Sequence, residues 1–353
     1  MKIMIGVGHP KHVHFRKNII NNLLKDGHEV KIVARGKDIT LHLLDAYGFN
    51  YEVVGTNYKS LLKKAYGLIE SDIKVLRVAK RFKPDILAGG SPYLEHVSKL
   101  IGKPHIGFTD TEHATLTNWL SIPFSDVICT PSCYKGRIDP KKHVIYNGYE
   151  ELAYLHPNYF KPDPSVLDEL GLAKDEKFAL VRFVSWNASH DIADKGFINK
   201  NKVIDSLKQY CELFISSESK LPEAYQKYKI DIPPEKIHDM MYYADLFIGE
   251  SASMACESAV LGTPAIFVST SRRGYTDELE SCYDMLYNFS GTKKGQEDAL
   301  MKASEILNNK NTKKIWQKKR DKLLKEKIDV TKFITEFIES YHMKVLDEKE
   351  CKC

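Results

Sequence analysis

The patterning predicts two α/β domains in tandem, each a parallel sheet wrapped by helices, and three observations carry that expectation. Short apolar runs alternate with amphipathic stretches from Ile3 to about Tyr149, and the same alternation restarts at Phe178. The 353 residues amount to two domains at ~150 residues each, long enough for each to bury its own core. With 43% apolar and 28% charged residues the chain falls outside the collagen-like, low-complexity and disordered classes. A formal charge of +5, from 52 basic and 47 acidic residues, is too mild for a dedicated nucleic-acid binder, so no nucleic-acid partner is expected.

Taken in order, Ile3–Val7 reads as a buried strand, followed by a Gly/His-rich turn and a helix from Phe15 to Lys25. Ile19, Ile20, Leu23 and Leu24 share one face of that helix, and Gly27 stops it. Val30–Ala34 is a second strand, Leu41–Tyr47 a helix closed by Gly48, and Tyr51–Val54 a third strand. Pro84 precedes a strand at Ile86–Ala88, Pro92–Ile101 is a helix, and His105–Phe108 and Val127–Cys129 are strands. Between Tyr149 and Lys174, Pro157, Pro162 and Pro164 break any period, which suits an interdomain connection and hinge. Phe178–Val184, Leu213–Ser216, Leu246–Ile248 and Ala265–Val268 are the second domain's strands, with helices around Lys202–Tyr210, Glu235–Tyr243 and Met254–Leu261. Phe333, Ile334, Phe337, Ile338 and Tyr341 form an apolar helix face that has to pack on the body. The expected domains are therefore 1–158 joined by a returning helix at 329–343, then 175–328, with a flexible tail at 344–353.

The seven cysteines are scattered and odd in number, and no apolar run reaches the ~18 residues of a membrane span. A cytoplasmic protein with reduced thiols, no metal site and no export signal is expected.

Candidate chemistry gathers where strands hand over to turns, as ligands do in open α/β sheets. After the first strand, Gly8 and His9 occupy such a turn and His12 and His14 follow, offering a base or hydrogen-bond donor. The dinucleotide fingerprint is incomplete there, and the second strand ends at Val33-Ala34-Arg35 with no acid, which disfavours a nicotinamide cofactor. Gly89, Gly90 and Ser91 form a second cradle. Asp110 and Glu112 stand at the most polar strand exit of the first domain, as acid or base, Asp110 equally suiting a helix cap. In the second domain Arg182 sits on a strand whose exit carries Ser185, Asn187 and His190, donors suited to a phosphate or sugar. Further on, Gly249, Ser251, Ala252 and Ser253 present N–H and hydroxyl groups at a helix start, fit for a diphosphate, with Glu257 one turn in and able to reach ribose hydroxyls.

The run GESASMACESAVLGTPAIFV resembles the nucleotide-binding strand–turn–helix of GT-B enzymes. Its nearest likenesses there are the lipid-linked N-acetylglucosaminyltransferase of peptidoglycan synthesis and the non-hydrolysing UDP-N-acetylglucosamine 2-epimerases. GHPKHVHFRKNIINNLLKDGHEVKIVAR and RFVSWNASHD look closer still to the group known as domain of unknown function 354, and the likeness runs from Met1 to about Tyr341. The resemblance implies a GT-B fold: two Rossmann-like doubly wound domains with a cleft between and a C-terminal crossing helix. It places Glu257 on the ribose, Ser251–Ser253 near the diphosphate, Gly89-Gly90-Ser91 toward sugar or acceptor, and His12 or His14 where the transferase has its loop histidine. The chain departs from the epimerases, which carry an arginine in the first loop, His-x-Glu-Ala-Gly at the fifth strand and Asp-Ser-Gly-Gly at the helix start. Here those positions read His9, Thr111-Glu112-His113-Ala114 and Gly249-Glu250-Ser251-Ala252.

The expected activity is metal-independent glycosyl transfer from a UDP-sugar in surface polysaccharide or glycoconjugate synthesis. Helix N-termini and Arg182 would neutralise the leaving diphosphate, and no Asp-x-Asp motif occurs. Sugar 2-epimerisation with Asp110 and Glu112 as acids is the alternative, and a non-catalytic nucleotide-sugar sensor the third reading. The acceptor is a glycan or a lipid-linked glycan. The basic stretch with Lys59, Lys63, Lys64, Lys74, Arg77, Lys80, Arg81 and Lys83 allows peripheral contact with the inner face of the membrane, and a homodimer is open.

Overall fold

The computed structural model describes residues 1–36, 38–56, 61–173, 175–184 and 196–350. The chain divides into two compact units, Met1–Tyr159 with Ile328–Cys353, and Phe160–Lys327.

Unit 1 runs β1 (Lys2–Val7), α1 (Pro10–Lys25), β2 (Glu29–Gly36), α2 (Asp38–Ala46), β3 (Tyr51–Thr56), α3 (Leu61–Phe82), β4 (Ile86–Gly89), α4 (Pro92–Ile101), β5 (His105–Phe108), α5 (Thr115–Ser121), β6 (Val127–Pro131), β7 (His143–Tyr146) and α6 (Leu152–Leu155). Its seven strands are all parallel, in the order β3-β2-β1-β4-β5-β6-β7. Helices cover both faces, so the central strands are buried throughout and their sequences are near-continuous apolar runs. α1 begins at Pro10 rather than Phe15, because His9 caps it by accepting the Lys11 N–H and the fixed φ of proline suits the first helical position.

Unit 2 runs α7 (Ser165–Glu169), β8 (Phe178–Phe183), α8 (Lys200–Leu207), β9 (Glu212–Ser217), α9 (Ile237–Tyr243), β10 (Leu246–Gly249), α10 (Ala252–Leu261), β11 (Ala265–Val268), α11 (Gly274–Ser281), β12 (Leu286–Phe289), α12 (Lys293–Asn308) and α13 (Thr312–Glu326). Its five strands are also parallel, in the order β12-β11-β10-β8-β9.

Two strands escape the sequence reading, β7 and β12. Each is a four-residue edge strand with partly exposed positions, so neither carries the buried run that marks the central strands. The stretch from Tyr149 onward, read as a connection, instead begins as core: Tyr149, Leu152, Ala153, Tyr154 and Leu155 are fully buried. The carbonyl of Ala153 accepts from Asn18 Nδ2 at 2.8 Å and from Thr331 Oγ1 at 2.6 Å, which binds α6 to α1 and to the last helix.

That last helix, α14 (Val330–Glu350), packs on α1 and α6 within unit 1. Val330, Ile334 and Ile338, four apart, are buried, and Glu339 meets His28 Nε2 at 2.8 Å. The helix continues past residue 343 into the segment expected as a loose tail. Ile334→Ala should cost about 2–4 kcal/mol of unfolding free energy in urea denaturation, whereas Glu336→Ala, on the exposed face, should stay within about 0.5 kcal/mol.

Candidate functional site

In an open parallel sheet the crevice for a ligand forms beyond the carboxyl ends of the strands, where neighbouring strands send their chains opposite ways. In unit 1 that point lies between β1 and β4. A Cβ on Gly89 would stand 3.4 Å from the backbone of Gly6, and one on Gly8 would stand 3.1 Å from Ser91 Oγ, so the two strand exits lie against each other. Gly90 has no room for a side chain, since its Cβ would fall 2.7 Å from the Phe108 carbonyl oxygen. Ser91 caps α4 in position only, with its N–H donating to Glu95 Oε1 at 3.1 Å.

At the start of α1 the Lys11 ammonium meets three carboxylates: Asp110 in a close contact, Glu151 at 3.0 Å and Glu150 at 3.2 Å. Asp110 leaves the end of β5, and Glu150 and Glu151 follow β7, so one cation joins three strand exits. All three acids are buried, and Thr111 Oγ1 donates to the second oxygen of Asp110 at 2.7 Å. One positive charge against three negative ones in low dielectric cannot keep every acid ionised at the usual cost. Burial, then the charge of Asp110, pushes Glu150 up to about 7. Burial likewise pushes Glu95 up to about 8 and Arg16 down to about 10. Arg16 NH1 donates to the Gly6 carbonyl.

The two candidate histidines separate. The Gly8 N–H donates to His12 Nδ1 at 3.3 Å, which leaves the ring proton on Nε2, and burial lowers its pKa well below the ordinary value. His12 is therefore a neutral donor beside the strand exits rather than a base. His14, two residues on, turns to the other side of α1, where it stacks on Tyr154 at 5.6 Å and meets Tyr47 OH at 3.2 Å. Its expected catalytic place gives way to packing. Nor does Asp110 cap the following helix, which starts at Thr115 after Ala114. Glu112 stands near the cluster but accepts from the Lys135 N–H at 3.0 Å. Lys11, Glu150 and Glu151 were missed in the sequence. The acids fall in the stretch read as a connection, and only the strong apolar run Leu152–Leu155 next to them hinted that the segment is core.

In unit 2 the corresponding point lies between β8 and β10. Gly249 ends β10 with its would-be Cβ 2.8 Å from the Arg182 carbonyl, which leaves room for nothing larger. Ser251 caps α10, accepting the Met254 N–H at 3.4 Å, and leaves Ala252 and Ser253 in the first turn of the helix. Glu257, one turn on, is buried and paired with His238 Nε2 of α9 at 3.2 Å. Glu250 is drawn the other way, accepting from Val184 N and Phe197 N at 2.8 Å each. Arg182 departs from expectation: its guanidinium donates to Ser216 Oγ and Glu218 Oε1, both at 2.7 Å, so β9 already engages the charge expected to meet a diphosphate. Ser185, Asn187 and His190 lie outside the described residues. Among the described residues no group of three or more acids, histidines or cysteines is arranged to hold a metal ion, and no helix is long and apolar enough to cross a membrane.

Two all-parallel Rossmann-like units with glycine-lined strand exits make this a protein of the GT-B fold. It belongs to the family described as Protein of unknown function (DUF354), matched over residues 1–341. The uncharacterized protein MJ0665 of Methanocaldococcus jannaschii is 24% identical over 279 residues, which cover 75% of this chain and 81% of that one. Among solved structures, the UDP-GlcNAc 2-epimerase of Methanocaldococcus jannaschii in complex with UDP-GlcNAc and UDP superposes with a TM-score of 0.64 at 13% identity, covering 88% of this chain and 94% of that chain. The spinosyn forosaminyltransferase SpnP superposes with a TM-score of 0.66 at 11% identity, covering 97% and 99%.

Lys11→Met should remove the ammonium that meets three buried acids and cost about 3–5 kcal/mol near neutral pH. The acids of that variant bind protons more tightly in the folded than in the unfolded chain, so its stability is kept at low pH and lost as pH rises. Melting temperatures of wild type and variant should accordingly converge near pH 5 and diverge toward about pH 8.

Proposed function

We propose that this protein is a metal-independent GT-B glycosyltransferase that takes its sugar from a nucleotide diphosphate donor, a UDP-sugar, for surface polysaccharide or glycoconjugate synthesis. The observation that carries the reading is the start of α10: a glycine strand exit, a serine cap, the first-turn backbone N–H groups of Ala252 and Ser253 and a buried carboxylate one turn in. Such a start offers backbone donors and the positive helix end to the diphosphate, while Glu257, oriented by His238, accepts from the ribose hydroxyls.

Unit 1 supplies the acid–base chemistry. The acceptor hydroxyl attacks the anomeric carbon as the bond to the diphosphate oxygen breaks, and a carboxylate of the Lys11 cluster takes the hydroxyl proton. Glu150 suits that step, since burial holds it near neutral pH and Lys11 stabilises its charged form. His12, protonated on Nε2, donates to a sugar or acceptor oxygen and keeps its proton. The acceptor is a glycan, free or lipid-linked.

The crowding of acids around Lys11 favours a second reading, sugar 2-epimerisation, in which Asp110 and a neighbouring glutamate remove and return the C2 proton. A nucleotide-sugar sensor without catalysis is the third.

Melting the protein with UDP-, GDP-, CMP- and TDP-sugars in EDTA tests the donor site. A UDP-sugar at a hundred times its dissociation constant adds about 2.7 kcal/mol, and Glu257→Ala should abolish that shift. No shift with any donor overturns the assignment. With a donor in hand, NMR of its anomeric and C2 protons separates transfer from epimerisation, and no turnover of any kind leaves the sensor. The kcat of the transferase should rise with pH through about 7, and Glu150→Gln should flatten that limb and lower kcat by about 10²–10⁴ while donor binding persists.

A further inference from the structure

One face of unit 1 carries five exposed large apolar side chains. The helices α3, α4 and α5 line the same side of the seven-stranded sheet, as right-handed crossovers from β3 through β6 dictate. On α3, Tyr66, Ile69 and Ile73 follow one another at three- and four-residue spacing, each about half exposed or more, at 64%, 59% and 46%. On α5, Leu116 and Trp119, three apart, are 62% and 72% exposed. Trp119 and Tyr66 thus leave most of their ring surface to solvent.

These residues belong to one surface because a single side chain ties their helices together. His96 of α4 meets Asp72 of α3 through Nδ1 and the Leu120 carbonyl of α5 through Nε2, at 3.1 Å each. Its ring stands edge-on to Phe124, in the turn after α5, with centroids 4.8 Å apart. Asp72 lies between Ile69 and Ile73 in sequence, and Leu120 directly follows Trp119, so fixing the two partners fixes the two apolar stripes beside one another.

The charge at the edge of this surface selects its partner. Along α3 the outward stripe changes from Tyr66, Ile69 and Ile73 to Arg77 and Lys80, both exposed, and Lys83 follows the helix, also exposed. Apolar side chains with an aromatic pair, flanked by unshielded cations, are what an interfacial helix needs: the rings sit at headgroup depth and the cations meet anionic lipid. The acids of this stretch, Glu70 and Asp72, are engaged by Lys74 at 2.6 Å and His96 at 3.1 Å, so Arg77 and Lys80 leave the edge positive.

We propose that the α3–α5 face of unit 1 is a peripheral docking surface for an anionic membrane, with Tyr66, Ile69, Ile73, Leu116 and Trp119 entering the interface and Arg77 and Lys80 meeting its headgroups. This goes beyond the sugar chemistry and needs no nucleotide, so its failure and the failure of the donor assignment are read separately.

The test is flotation of the full chain, without sugar, with vesicles of phosphatidylcholine alone or containing about one third phosphatidylglycerol. Binding should appear with the anionic vesicles, weaken several-fold when salt is raised to about 0.5 M, and shift Trp119 emission to the blue. Ile69→Ser, Ile73→Ser and Trp119→Ser combined should lower the partition about tenfold or more, with the melting temperature unchanged because the three side chains are exposed. Arg77→Glu with Lys80→Glu should remove the preference for anionic vesicles. The proposal is overturned if the wild type stays with the unbound fraction, or if the triple variant floats as well as wild type. It is also overturned if sedimentation shows a dimer that the triple variant splits, which would give this face to a second copy of the chain.

Discussion

The ammonium of Lys11 is the tie on which unit 1 is organised. It sits one residue into α1 and holds acids delivered by β5 and by the segment after β7, so three chain crossings are fixed at one buried point. The choice is costly for stability, because several acids are withdrawn from water around a single ammonium. What the arrangement gives in return is a carboxyl whose protonation changes near neutral pH, held in place from several sides.

The same economy of burial recurs around the cluster. Glu95 and Glu150 are pushed toward their neutral forms and Arg16 is loosened from its proton, each chiefly because water is excluded. Unit 2 handles charge differently. Around α10 its acids each have a partner, Glu257 with His238, Glu218 with Arg182 and Glu250 with the Val184 and Phe197 N–H groups. Unit 1 thus gathers several acids around one lysine, while unit 2 gives each acid near α10 a partner of its own.

How much of this was legible in the sequence depended on the range of the interaction. Strands buried on both faces write themselves as apolar runs, so β1, β4, β10 and β11 were readable, while the edge strands β7 and β12, paired on one side only, left no such mark. Strand exits were readable too, since glycine beside a strand end signals close approach of backbone, as Gly90 and Gly249 bear out. The meaning of a charged residue was not. His12 and His14 look alike in a string of letters, yet a helical turn of 200° sends one to the strand exits and the other into packing. Lys11, Glu150 and Glu151 acquire their roles only when the sheet order brings distant segments together, and no local pattern records that order.

The way α14 completes unit 1 also bears on how the chain is made. Its anchor, the Ala153 carbonyl shared by Asn18 and Thr331, joins residues from the two extremes of the polypeptide. On the ribosome, the seven strands of unit 1 and α1–α6 emerge long before the helix that covers them, and all of unit 2 is synthesised in between. Unit 2 is continuous and can close as soon as it clears the tunnel, whereas the α1–α6 side of unit 1 stays open to chaperones until α14 has emerged. The order of maturation is thus inverted: unit 1, whose strands come before those of unit 2, is finished after it.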